Sequence, residues 1–273
     1  MAKRKRGFTR EKYDKWIKEK RGLGKGKDYK VWLTVQDVPS LGKTSRLLGI
    51  KTGREHQFFS NNETSYFFIL EFYELITDIR EQFPLLPIEE TIAIAQELGI
   101  KHPTDPNTKE EIVITTDFLI DINEDNYKKT LARTIKQKED LDKRQLDKFE
   151  IERRYWNKRN IDWGIVTENE INKVLARNIE IVYQFYDLEN LKGFENFNTV
   201  QIRELTNAFK KQISGTSVIR EEASLFEDNM LLEGGCGIAM FKHLIITKQI
   251  IVDMLTPINV DKSIFVKLSE VRL

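Results

Sequence analysis

The sequence predicts an α/β domain built on a mixed sheet that helices cover on both faces, followed by a mainly helical domain ending in a two-stranded wing. Three patterns carry that expectation. Residues 112–136, IVITTDFLIDINEDNYKKTLARTIK, read as two extended runs around a polar turn over Asn123, Glu124, Asp125 and Asn126. Residues 161–166, IDWGIV, form a compact apolar strand candidate directly after a long charged segment. Beyond residue 167, three helices precede two short strand candidates, the outline of a winged helix. The domains are therefore expected at 1–167 and 168–273.

Taken in order, Tyr13, Trp16 and Ile17 have near-helical spacing within the basic first 22 residues. The glycines of 22–27 follow no strand and lack the Lys-Ser/Thr ending of a nucleotide loop, so they form a flexible basic loop. Residues 32–35 read as a short strand, and 39–53 as an exposed basic connector. Ser60 with Glu63 three residues on makes a capping box. Behind it, residues 66–75 are apolar enough for a largely buried helix. Residues 78–83 are extended and stopped by Pro84 and Pro87. Residues 89–98 form a helix closed by Gly99, and 103–108 a loop. After the strand pair, 137–160 lacks Gly and Pro and is dense in charge, which predicts a long, mostly solvated helix. Thr167 and Glu170 make a second capping box, opening a helix to about 185. A polar linker follows to 198, then helices at 199–213, 217–232 and 238–246, and strands at 249–255 and 263–268.

The chain has 273 residues, 40% hydrophobic and 32% charged, a globular composition. No apolar run approaches the roughly 20 residues of a membrane span, and the basic start leads into no apolar signal segment. A cytoplasmic protein is expected. The single cysteine, Cys236, excludes an internal disulfide and a cysteine-rich zinc site. Net charge is +1, unevenly placed: residues 1–30 hold 13 Lys/Arg against 4 Asp/Glu, and the remainder 31 against 39. A basic arm (+9) on an acidic body (−8) suits a polyanion such as DNA, and equally a solvated terminus.

Strict alternation in the first strand puts Thr115, Asp117 and Leu119 on one face and Thr116, Phe118 and Ile120 on the other. An aspartate inside an apolar strand is costly unless it is paired or metal-bound, or faces solvent at an edge. The second strand ends in Thr134, Ile135 and Lys136, with Thr134 and Lys136 on a common face. Glu63, Asp117 and Lys136 make the candidate catalytic set, and Glu63, Asp117, Thr134 and the Ile135 carbonyl the candidate oxygen ligands for magnesium. Such an ion polarises a phosphodiester, and a lysine beside it orients or deprotonates the attacking water. Each residue also has a plainer reading: Glu63 as a capping partner, Lys136 as a strand-end lysine. Asp121 shares the expected Asp117 face and competes as a ligand. Asp78 and Glu81 read either as surface charges or as part of the site.

The longer text is more specific. GKDYKVWLTVQDVPS, KTGREHQFFSNNE, DIREQFPLLP, GIKHP, TDFLID and FEIERRYWNKRNIDWGIVTENEIN resemble the TnsA family over about residues 20–180. That family comprises endonuclease subunits of heteromeric bacterial transposases. The resemblance implies a restriction-endonuclease-like core whose helix glutamate, strand aspartate and lysine fall on Glu63, Asp117 and Lys136. It implies two magnesium ions, with manganese a substitute. Position 134, a glutamine ligand in the family, is Thr134 here. It further implies cleavage of the non-transferred strand at transposon 5′ ends, with transposon-end DNA, the transposase TnsB and the ATPase TnsC as partners, TnsC through the carboxyl-terminal region. A docking subunit with a decayed nuclease is the alternative that Thr134 motivates. A stand-alone repair or restriction nuclease is a third reading, against which the matching stretches outside the site count.

Overall fold

The computed structural model describes residues 7–37, 43–124 and 127–269. The start of the basic arm, the start of the expected connector and the tip of the expected turn, at Asp125 and Asn126, lie outside them. Two compact units divide the chain, Met1–Ile171 and Asn172–Leu273.

The first unit opens with α1 (Arg10–Lys18), capped by the Thr9 hydroxyl. Tyr13 and Trp16 are buried against Trp32, with Ile88 and Val113 in the same cluster. The described part of the basic arm is therefore a packed helix with an apolar inner face. The expected strand at 32–35 does not form. Trp32 lies in a bend, fully buried edge-on against Trp16, so the apolar run marks a core plug and not a strand. The expected connector contains an antiparallel hairpin, β1 (Ser45–Leu48) with β2 (Glu55–Phe58).

Next come α2 (Asn61–Phe72), β3 (Ile76–Pro84), α3 (Ile88–Leu98), β4 (Thr115–Glu124), β5 (Tyr127–Ile135), α4 (Lys143–Asn157) and β6 (Asp162–Val166). Gly99, left-handed at φ +66°, closes α3 as expected. The charged segment 137–160 begins with a 3₁₀ turn, and its helix starts only after Asp142, whose side chain accepts from the Gln145 amide. The strands form one sheet in the order β3-β4-β5-β6, the first two pairings antiparallel and the last parallel. One face packs, through Phe118, on Tyr66 of α2 and Phe58 of β2. The other packs on α3 and α4 through Leu119, Ala132, Ile94, Ile151 and Trp156. The mixed, doubly covered sheet is thus the architecture expected.

At the end of the first unit, Thr167 and Glu170 close only a turn; Glu170 accepts from both the amide and the hydroxyl of Thr167. The helix α5 (Lys173–Tyr183) starts later, at its own cap Asn172. α6 (Thr199–Gln212) has a reciprocal capping box between Asn198 and Gln201. The expected helix at 217–232 starts as a strand, β7 (Gly215–Val218), before α7 (Ile219–Met230). Then follow α8 (Cys236–Ile246), β8 (Ile250–Ile251) and β9 (Ser263–Leu268). The strands pair as β7-β9-β8, so the small sheet has three strands where two were expected. Its helices pack around Phe209, Phe226, Met240, Phe241 and Leu244. Among the described residues no helix is long and apolar enough to cross a membrane.

Candidate active site

The site forms where the regular pleat fails. Opposite one another in β3 and β4 stand Gln82 and Asp117, between the pairs Glu81↔Phe118 and Phe83↔Thr116. Gln82 has φ +48°. At this rung both strands turn over. Glu81 bonds to Arg54 and His56 on the α2 side, whereas Phe83 packs on Trp156 of α4. Phe118 packs on Phe58 and Tyr66, whereas the Thr116 hydroxyl reaches Glu152 and Trp156 of α4. The expected grouping of Thr116 with Phe118 is therefore corrected: β4 turns over at Asp117, opposite the left-handed Gln82 of β3, and the two side chains leave on opposite faces.

Asp117 is held on both oxygens. Oδ1 accepts from the Gln82 amide at 3.1 Å and Oδ2 from the Ile135 backbone N–H at 2.7 Å. The β4–β5 ladder ends at Phe118↔Arg133, so the strands part and the carboxylate satisfies an amide the ladder leaves open. Within a strand residue N–H and C=O leave on the same side. The Ile135 carbonyl therefore also faces β4, beside Asp117.

Glu63 lies in the first turn of α2. The Ser60 hydroxyl accepts from the Glu63 amide and donates to Oε1 at 2.8 Å, while Phe59 N–H donates to Oε2 at 3.0 Å. Capping is thus real, and the same carboxylate feels the charge of Asp117. Lys136, one residue past the end of β5, lies close enough to favour the Asp117 anion, and its Nζ is 3.4 Å from Asp140. Thr134 does not face Asp117. Its hydroxyl donates at 2.7 Å to Glu152, so it does not share a face with a ligand set of Glu63 and Asp117.

Glu152 is the residue the sequence reading missed. It is 3% exposed, and its Oε2 accepts from Thr116 (3.1 Å), Thr134 (2.7 Å) and Trp163 (3.2 Å). Trp156 in turn donates to the Thr116 hydroxyl at 2.7 Å. A signal exists: Glu152 lies on the stripe Phe149, Glu152, Trp156, at helical spacings of three and four, which marks it as inward-facing. Gln82 has no comparable sequence signal.

Electrostatics follow from burial. Desolvation, then the Asp117 charge, pushes Glu63 well above the ordinary carboxylate range. Burial also raises Asp117, but less, because Ile135 N–H, Gln82 and Lys136 favour its charged form. Glu152 is pushed up to about 8 by burial; its hydrogen bonds from Thr134 oppose that shift and the Asp117 charge adds to it. Buried acids with raised pKa and little cationic compensation suit a divalent cation, which removes the desolvation penalty. The donors on hand are carboxylate, amide and backbone oxygens, the hard set of magnesium or manganese. Among the described residues no three His, Cys, Asp or Glu side chains lie close enough to chelate an ion by themselves, so such a set includes backbone or amide oxygen.

The other acidic candidates lie elsewhere. Asp121 bonds to Lys25, Arg80 and Thr130, and Asp78 to Arg80 and the Gly26 amide. Glu81 is fully buried between Arg54 and His56, which hold it at about 2 despite its burial. These are internal ion pairs, and Asp121 is not a competing ligand.

With this geometry in view, two family models match the chain: TnsA-like endonuclease N terminal over residues 74–168, and TnsA endonuclease C terminal over residues 170–254. The first includes Gln82, Asp117, Lys136 and Glu152, while Glu63 lies before it. Among curated proteins, the chain is 44% identical over 183 residues to the Transposon Tn7 transposition protein TnsA of Escherichia coli. That match spans 67% of this chain and 66% of the relative's length.

Proposed function

The chain belongs to the TnsA family, and from that premise we propose that it is the magnesium-dependent endonuclease subunit of a heteromeric transposase, cutting the non-transferred strand at transposon 5′ ends. The observation that carries the reading is the pairing of buried Glu63 with half-buried Asp117, both with raised pKa, at the point where β4 and β5 part. Glu63, Asp117 and the Ile135 carbonyl would hold magnesium, as one ion or two, or manganese in its place. When bound, the metal supplies Lewis-acid polarisation of the phosphodiester and charge stabilisation.

The chain's own residues do the rest. Asp117, fixed by Ile135 N–H and Gln82, keeps one orientation on the sheet. Lys136 sits at the strand end with a third of its side chain exposed, able to leave Asp140 for a water or a scissile phosphate. Thr134 serves by holding Glu152 and not as a ligand. The basic residues of α1, including Lys12, Lys15 and Lys18, offer a sequence-independent hold on DNA phosphates. Transposon-end DNA, TnsB and TnsC, the last at the carboxyl-terminal unit, are the partners this reading implies, in the cytoplasm.

A second reading has one observation in its favour. Thr134 is turned away from Asp117, and Lys136 is paired with Asp140, as in a docking subunit whose nuclease is weak. Strand-specific cleavage decides between them. Transposon-end DNA would be incubated with the cognate partner proteins, ATP and magnesium, using the wild type, Asp117→Ala and Lys136→Ala. We expect 5′-strand cuts from the wild type and only 3′-end breaks from both variants, a loss of roughly 100-fold or more at the 5′ ends. Equal products from all three would sink the nuclease reading and leave the docking one.

A further inference from the structure

We propose that Gln82 is the positioning residue of this site: its carboxamide, braced by Thr115, holds the Asp117 carboxylate in the orientation a divalent cation needs. The inference rests on the carboxylate-site reading above and deepens it.

The backbone supplies the first argument. Among the described residues, six that are not glycine have positive φ: Lys20, Gln82, Lys109, Asn160, Leu231 and Lys248. Five sit in turns or loops, and Gln82 alone lies inside a strand. A left-handed conformation costs an L-residue about 1–2 kcal/mol. A glycine or asparagine would adopt it more readily. A glutamine retained there, 4% exposed, calls for a reason in its side chain.

The side chain supplies the second. Nε2 donates to Asp117 Oδ1 at 3.1 Å, and Oε1 accepts from the Thr115 hydroxyl at 3.1 Å. An ionised carboxylate only accepts, so the amide nitrogen must be the end facing Asp117, and Thr115 fixes the oxygen end. The same carboxamide stands close enough to Glu63 to favour its anion. Gln82 therefore bonds the β4 carboxylate from the neighbouring strand, β3, with Thr115 as its brace. A neutral donor orients the carboxylate without cancelling the charge that a cation would seek.

The test reads metal binding in the whole protein without DNA. Manganese affinity would be measured by electron paramagnetic resonance of free Mn²⁺, with melting by circular dichroism alongside, for the wild type, Gln82→Asn, Gln82→Gly and Asp117→Ala. Asparagine tolerates the backbone but is one methylene short. Glycine removes the side chain and the strain together. Loss of a group that orients a ligand costs roughly 10–100-fold in metal affinity. We expect a weakening in that range for both Gln82 variants, with cooperative melting retained, and near-abolished binding for Asp117→Ala. Wild-type affinity in Gln82→Asn, with Asp117→Ala still impaired, overturns the role of Gln82 and leaves the site standing. Wild-type affinity in Asp117→Ala overturns the site itself. Loss of cooperative melting in both Gln82 variants makes the residue a structural one and also overturns the proposal.

Discussion

Replacing Glu152 by glutamine isolates the cost of burying a third acid behind the site. The amide side chain would keep the shape and an oxygen to accept from Thr116, Thr134 and Trp163. It cannot ionise. The sign follows from where the proton sits. In the unfolded chain the glutamate titrates near its ordinary value, in the folded protein at about 8. Between those pH values the folded state holds a proton that the unfolded state has lost, so stability falls as pH rises. Nothing is lost below the unfolded value, and the full loss is reached above about pH 8. The limiting slope for one proton is about 1.4 kcal/mol per pH unit. From about pH 6 to 8 the wild type should therefore lose about 2 kcal/mol more than Glu152→Gln, allowing for partial titration near the upper end. For a unit of this size that is roughly 4–8 °C in Tm. Melting would be followed in EDTA across roughly pH 5.5–8.5, a range that brackets most of the transition. Glu63 and Asp117 titrate in both proteins, so the difference between the two curves reports Glu152. Parallel curves would refute the reasoning, since they would mean that Glu152 is already charged in the fold across the range.

Two further outcomes follow from the same physics. Glu81→Gln should destabilise the first unit by about 3–5 kcal/mol in urea unfolding, because buried Arg54 loses its countercharge. Its folded pKa is depressed, so the wild-type advantage exists above the ordinary glutamate value and should fade as pH falls toward about 2; a pH-independent difference would contradict the ion-pair account. Gly237→Ala should destabilise the second unit: the new Cβ would lie 2.6 Å from the Ala223 Cβ and 2.7 Å from its Cα. Overpacking of about 1–3 kcal/mol outweighs the roughly 1 kcal/mol gained in helix propensity. A rise in Tm for Gly237→Ala would count against the tight α7–α8 contact.

What the sequence made legible was whatever obeys a period. The apolar run from Thr115 to Ile122 implied a buried strand, and Asp117 stood out because a carboxylate inside such a run needs a partner. The capping box made Glu63 visible, and the family text attached a role to it. The doubly covered mixed sheet followed from the order of runs. What stayed hidden breaks a period or is fixed by distant partners. β1 and β2 are four residues each, too short for alternation to register. Trp32 to Val35 has strand composition, yet aromatic packing on Trp16 holds it in a bend. Gln82 carries no local mark, since a left-handed glutamine is chosen by Asp117 across the rung. Glu152 was masked by the charged surface of its own helix, although its place between Phe149 and Trp156 pointed inward.

The arrangement also explains how three buried acids coexist in a fold without a matching set of bases. Burial alone would keep all three protonated. The fold discriminates among them through donors. Asp117 receives a backbone N–H, an amide and the field of Lys136, and so ionises first. Glu63 and Glu152 then face that charge, which adds to burial and holds their protons on. Near neutral pH the cluster therefore carries about one negative charge beside one lysine, a bearable load in a dry interior. A divalent cation bound as proposed, at Glu63 and Asp117, would reverse the logic, opposing desolvation at each oxygen it touched and drawing the next proton off. The same hydrogen bonds thus order the three ionisations and make the cluster tolerable in the fold, with Asp117 as the fixed point to which the others respond.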